Sequence, residues 1–166
     1  MKDIAEVLGG DYLLSVEGFL QEGGRVLFGR LSPGTELFYG IDSLCEAFGV
    51  ECGSIVGGLG SLSRAVYTYI YPDPNHPVGI KYVEPIVLDS PAELISSQGT
   101  IGPNQGKRDI HLHCVLCDER GNFVAGHMLP GCYVCATVEI SILVIERGVE
   151  RKFDSETQFS IFRYGN

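Results

Sequence analysis

Residues 109–140 read DIHLHCVLCDERGNFVAGHMLPGCYVCATVEI. The first nine, 109–117, are mostly apolar and rich in strand formers, so they read as a β-strand. ERGN at 119–122 is a turn, and FVAGHM at 123–128 returns as a second strand. So short a turn makes the two strands antiparallel neighbours. Side chains alternate faces along a strand, so His111 and His113 project together, about 6.6–6.8 Å apart at Cα. His127, on the returning strand, can come to lie beside them. Three imidazoles converging in this way leave a fourth position open on a zinc ion, the arrangement that catalytic zinc uses. His76 lies between prolines in a loop and is expected to be exposed, outside this group.

The same stretch holds a competing pattern. Cys114, Cys117, Cys132 and Cys135 are spaced C-x2-C, fourteen residues, C-x2-C, which resembles a four-cysteine zinc site. Zinc knuckles sit on tight turns, whereas the first of these pairs lies within a strand. There, positions i and i+3 point to opposite faces and cannot chelate one ion. The cysteines are therefore expected to be small core hydrophobes. Farther along, Glu139 is a charge inside the apolar run ATVEI. It fits either a general base or a hydrogen-bond partner of an imidazole, and equally an outward-facing residue on a half-exposed strand. Arg64 follows the glycine-rich stretch GGLGS at 57–61 and could meet an anion. That stretch lacks the Lys-Ser/Thr of a P-loop, and a strand bend explains its glycines.

Outward from this segment the chain is mostly strand. Segments 25–31, 54–59, 63–71, 82–88, 93–101, 136–145 and 158–162 fit extended structure. Ala65, Tyr67, Tyr69 and Tyr71 are expected on one face, and Pro85 marks an edge or a bulge. One helix stands out. Ser32 is placed to cap it, Pro33 to open it and Glu36 to sit in its first turn, and Gly49 to end it. Leu37, Phe38, Ile41, Leu44, Cys45 and Phe48 form its apolar stripe. Residues 1–22 are ambiguous, with Ile4, Val7 and Leu8 suggesting a helical turn and 12–19 either strand or helix. One strong helix among many strands reads as α+β, a mostly antiparallel sheet with helix cover.

Composition bounds the function. The 166 residues suit one domain, are 45% hydrophobic and carry 22 glycines, a folded composition. The longest uncharged stretch, 121–138, is broken by Asn122, His127, Pro130 and three glycines, so it is no bilayer span. Residues 1–10 carry Asp3 and Glu6 and lack a basic start followed by an apolar stretch, unlike a signal peptide, and a cytoplasmic location with reduced thiols is expected. The net charge is −9, and the densest basic pairs are Lys107-Arg108 and Arg151-Lys152. Affinity for a phosphate backbone scales with clustered Lys and Arg, so the chain alone is expected to bind DNA poorly.

Three stretches, LCEAFGVECGSIVGGLGSLSRA at 44–65, ELISSQGTI at 93–101 and residues 109–140, resemble the PPC (plants and prokaryotes conserved) domain family. The H-L-H, G-H and A-T-V-E elements in that order carry the resemblance, which points to the stand-alone prokaryotic type. It implies an α/β fold with a central antiparallel sheet packed with helices, and assembly as a homotrimer. It further implies a metal, zinc as the first expectation, held by residues matching His111, His113 and His127. Residues 25–162 are then a single PPC-like domain and 1–24 an N-terminal extension. No Arg-Gly-Arg-Pro core of an AT-hook occurs, so the minor-groove anchoring of the plant proteins does not carry over. The expectation is a metal-binding, DNA-associated or regulatory domain. The alternative is a metal-dependent hydrolase or lyase that uses a zinc-bound water, with Glu139 near the proton.

Overall fold

A computed structural model describes residues 2–3, 16–21, 24–146 and 149–164. In chain order the elements are β1 (Lys2–Asp3), β2 (Val16–Gln21), β3 (Val26–Leu31), α1 (Leu37–Ala47), β4 (Gly53–Thr68), β5 (Ile70–Pro72) and β6 (Ile80–Tyr82). They continue with β7 (Ile86–Leu88), β8 (Ala92–Asn104), β9 (Lys107–Asp118), β10 (Phe123–Met128), β11 (Tyr133–Val144), β12 (Val149–Asp154) and β13 (Phe159–Tyr164). A nine-stranded sheet runs β1-β2-β3-β11-β4-β10-β9-β8, with β7 also on β4. β8 pairs back onto β4, so β4, β10, β9 and β8 close into a ring. Two hairpins, β5–β6 and β12–β13, stand apart from this sheet. Every strand pairing is antiparallel.

The antiparallel sheet is as expected, but the helices packed on it are not. Among the described residues α1 is the single helix, so the molecule is β-rich rather than α/β. The proposed helical turn near Ile4 lies outside the described residues; within 12–19, the described part is strand β2. The segments 54–59 and 63–71 prove to be one 16-residue strand, β4. The glycines bend it without breaking it, because its ladder to β11 continues through register shifts. β4 ends at Thr68, so Ala65 and Tyr67 are buried while Tyr69 and Tyr71 fall beyond it and are exposed. Segment 82–88 is interrupted between Tyr82 and Ile86, at Pro85, which has no N–H to donate to a ladder. β12 was not expected, since VERKFD shows little hydrophobic alternation.

Helix α1 buries its stripe as its spacing requires, with Leu37, Ile41 and Leu44 fully inside. Its start differs from expectation. Thr35 N–H donates to Ser32 O at 3.2 Å, so Ser32 belongs to a turn ahead of the helix. Glu36 is the cap: one carboxylate oxygen accepts from Tyr39 N–H at 2.8 Å and the other from Gly131 N–H at 2.9 Å. A single carboxylate thereby satisfies an orphan helix amide and ties the approach to β11. At the other end, Val50 N–H donates to Cys45 O at 2.9 Å and Gly49 N–H to Glu46 O at 3.2 Å, a Schellman closure. Arg108 on β9 fastens this end to the sheet, donating to Val50 O at 2.9 Å and pairing with Asp42 and Glu46 at 2.5 and 3.1 Å.

Candidate metal centre

β9 alternates strictly. Leu112, Cys114 and Leu116 are buried in the core, and the residues between them look the other way. His111 and His113 share that outer face. The 119–122 turn returns β10 so that His127 lies directly opposite His113, Ala125 opposite Val115 and Phe123 opposite Cys117. His127 also meets the end of β4, opposite Thr68. That approach depends on the residue before it: a Cβ on Gly126 would run into the Thr68 carbonyl oxygen. The Ala-Gly-His sequence thus lets β10 press against β4 and brings the third imidazole over the first two.

The three rings converge. Ring centroids lie 4.9 Å apart for His111 and His113, 4.7 Å for His111 and His127, and 5.3 Å for His113 and His127. One ligand nitrogen from each falls within 4.8 Å of the others, so the triad could hold a metal ion. Nε2 of His111 and Nε2 of His113 are 2.9 Å apart, a distance at which one ring donates to the other. Two imidazoles on a tetrahedral zinc at about 2.0–2.1 Å stand about 3.3–3.4 Å apart, so only a slight opening is needed. His111 and His127 are half-buried, His113 is exposed, and the buried Nδ1 of His127 has no hydrogen-bond partner. An unpartnered buried imidazole nitrogen is costly unless a ligand engages that nitrogen.

Electrostatics keep the triad neutral. Burial pushes the pKa of His111 down to about 4, helped by the Arg151 guanidinium and by the other two imidazoles, with Asp109 opposing. Burial lowers His113 as well. His127 is lowered by burial, then by His113 and Arg151, again against Asp109. Near pH 7 the three rings therefore offer lone pairs without first losing protons.

The other candidates are placed elsewhere. His76 stacks on Phe159 with centroids 5.2 Å apart, outside the triad. Glu139 lies on β11 in register with Leu59 and Arg30, and it is not part of the converging group. Leu59 stands nine positions along β4 from Thr68, the residue opposite His127. Arg64 is already engaged, donating to Gly131 O at 2.8 Å and facing Asp89 at 3.6 Å. No cysteine is in a disulfide; Cys114 and Cys132 are buried as core residues, whereas Cys117 and Cys135 are only half-buried, Cys117 because it lies on the face opposite Cys114. Burial raises Cys132 to about 11 and Cys114 higher still, so these are protonated thiols and not thiolate ligands. Cys114→Ala should leave zinc per chain unchanged and cost about 1 kcal/mol of stability, seen as a small fall in Tm. Loss of stoichiometric zinc in that variant would revive the four-cysteine site.

Four neighbours carried no signal in the sequence for this site. Tyr82 places its ring 5.6 Å from that of His127, and Phe159 meets Tyr82 edge-on at 5.7 Å. Arg151 on β12 faces Asp109, two residues before His111, with Nε 3.2 Å from the carboxylate. None of these is near the histidines in the chain except Asp109. The expected basic pair Arg151-Lys152 is in fact one inward and one outward residue, with side chains 10% and 58% exposed.

Comparison with known proteins places this geometry. The chain is similar to the bifunctional protein GlmU of Synechococcus sp. (strain JA-2-3B'a(2-13)), 28% identical over 111 residues, 67% of this chain but 15% of that protein. It spans 15–18% of the length of the curated relatives it matches. A metal-containing protein from Archaeoglobus fulgidus is 25% identical with a TM-score of 0.69, covering 89% of this chain and 93% of that one. A Bacteroides thetaiotaomicron protein conjectured to bind DNA has a TM-score of 0.72 at 18% identity, covering 89% and 97%, and so shares the fold. The family model of the Plants and Prokaryotes Conserved (PCC) domain, the PPC domain, matches residues 20–146 and takes in α1, the ring of strands and all three histidines. The chain belongs to the Plants and Prokaryotes Conserved domain family.

Proposed function

We propose that this PPC-domain chain is a metal-binding module in which His111, His113 and His127 hold one zinc ion, and that it works as a homotrimeric regulatory or assembly domain. The observation that carries the reading is the convergence of three neutral imidazoles within 4.8 Å, with a buried His127 Nδ1 left unpartnered. The donor set suits zinc: imidazole is a favoured ligand, and three of them leave an open coordination position. When bound, the ion supplies a Lewis-acid centre there. The metal content of the Archaeoglobus fulgidus relative favours the same conclusion. Self-association is supported by apolar residues on the open sheet face, where Val56, Leu59 and Ile95 are about half exposed.

DNA association is the weaker part of the family expectation. Arg25, Arg64, Lys81, Arg108 and Lys152 each face a carboxylate, so these cations are already paired, and the Arg151 side chain is only 10% exposed, out of reach of a duplex backbone. A backbone binder needs several unpaired cations on one surface. Occurrence of a related segment within GlmU, a much longer protein, also fits a role as an accessory module.

Zinc bound by the purified chain should titrate to one per chain at pH 7 and be lost in acid. Protons compete for the same nitrogens, but the lowered pKa values delay that competition, so release is expected below the ordinary imidazole value of 6.5, toward about 4. The metal-free protein should lose stability over the same window. Between about 4 and 6.5 the unfolded chain binds more protons at His111 than the folded one, so stability rises with pH there. Zinc measured by indicator dye against pH, with Tm of chelator-treated protein, checks both. No zinc uptake at pH 7 would refute the reading.

A further inference from the structure

The C-terminal hairpin, β12–β13, lies outside the residues matched by the PPC family model, 20–146, yet it reaches the neighbours of the histidines: Arg151 meets Asp109, and Phe159 packs on Tyr82, whose ring meets His127. It brings one guanidinium with it. The Arg151 side chain is 10% exposed, and Nη2 donates to Ser160 O at 2.8 Å while Cζ lies 5.4 Å from the Phe162 ring centroid. Its Nε is buried, faces Asp109 Oδ2 at 3.2 Å and makes no hydrogen bond. Asp109 is shared, since Oδ2 also accepts from Asn104 Nδ2 at 3.1 Å. Arg151 lines a cavity of about 440 Å³ together with His127, Asp109, Phe38, Met128 and Leu129. The other cation on that cavity, Arg108, is neutralised by Asp42, Glu46 and Glu51.

A buried cation beside a site for a divalent cation is unfavourable by itself. Asp109 offsets one charge, and a metal would add two, leaving a local excess of positive charge in a chain whose net charge is −9. An anion resolves that excess. The guanidinium fork matches a carboxylate, and the Phe38, Met128 and Leu129 wall suits an apolar tail more than a fully hydrated phosphate. We propose that the hairpin converts the histidine site into a receptor for a small carboxylic acid anion, held between Arg151 and the metal; this rests on the metal reading given above.

Cobalt(II) in place of zinc makes the site visible by its absorption, and sodium butyrate at fixed ionic strength is the probe. Butyrate should perturb the cobalt spectrum of the wild-type protein in a saturable way. The half-saturating concentration should rise about tenfold or more in Arg151→Met, as expected for loss of a charge-assisted hydrogen bond. Lys152→Met removes an exposed cation from the next position and should leave it unchanged. Cobalt per chain should be equal in all three proteins, which also reports that the variants fold. An equal butyrate response in wild type and Arg151→Met would overturn the receptor while leaving the metal site standing. So would a tighter response to inorganic phosphate. Failure of the wild type to bind cobalt would overturn the metal reading and the receptor together.

Discussion

Alanine at His111, His113 or His127 should weaken zinc binding by about 10²–10³-fold while leaving the fold intact. Structural zinc sites are worth about 10–16 kcal/mol over four ligands, so each ligand accounts for about 2.5–4 kcal/mol. The fold should survive because the core side of β9, Leu112, Cys114 and Leu116, is untouched by changes on its outer face. Zinc per chain after dialysis against a weak chelator measures the effect, with circular dichroism as the folding control. His76→Ala is the comparison: its ring packs on Phe159, away from the triad, and zinc should be retained. Full retention in both His111→Ala and His127→Ala would remove the site.

Gly60→Ala should be among the most destabilising single-methyl changes in the chain. Gly60 has φ +146°, and a Cβ there would fall on the Thr137 carbonyl oxygen and 2.8 Å from Val138 Cα. Both neighbours are backbone of β11, so neither can swing aside as a flexible side chain would. Backbone strain of about 1–3 kcal/mol and crowding of similar size add to roughly 2–6 kcal/mol. Against a typical total of about 5–15 kcal/mol, that is a large share, and Tm should fall by roughly 5–20 °C. Gly57→Ala is the control, since a Cβ there meets nothing within 4 Å. An unchanged Tm for Gly60→Ala would mean that β4 and β11 do not cross as closely as described.

Much of the triad was legible because it rests on short-range rules. The two-residue period of a strand put His111 and His113 on one face, and it separated Cys114 from Cys117. The turn at 119–122 brought His127 back beside them, and the register His127 opposite His113 follows from the residues between. The apolar stripe of α1 was read equally well, although its cap was not. Ser32 and Glu36 both have capping side chains, and only the position of Gly131 shows why Glu36 takes the role.

What the sequence by itself determined, then, is the antiparallel hairpin, the shared face of its histidines and the opposed faces of Cys114 and Cys117, all set by alternation and one turn. Tertiary structure decided the rest. It fused two strand segments into β4, because pairing with β11 outweighs the local preference of glycine to interrupt a strand. It left one helix among the described residues, where helix cover had been expected. It also brought Tyr82, Asp109 and Arg151 around the triad, the first and last from segments far from the histidines in sequence. Such meetings depend on how sheet and hairpins pack, and packing between distant segments leaves no period or spacing in the chain from which it could be read.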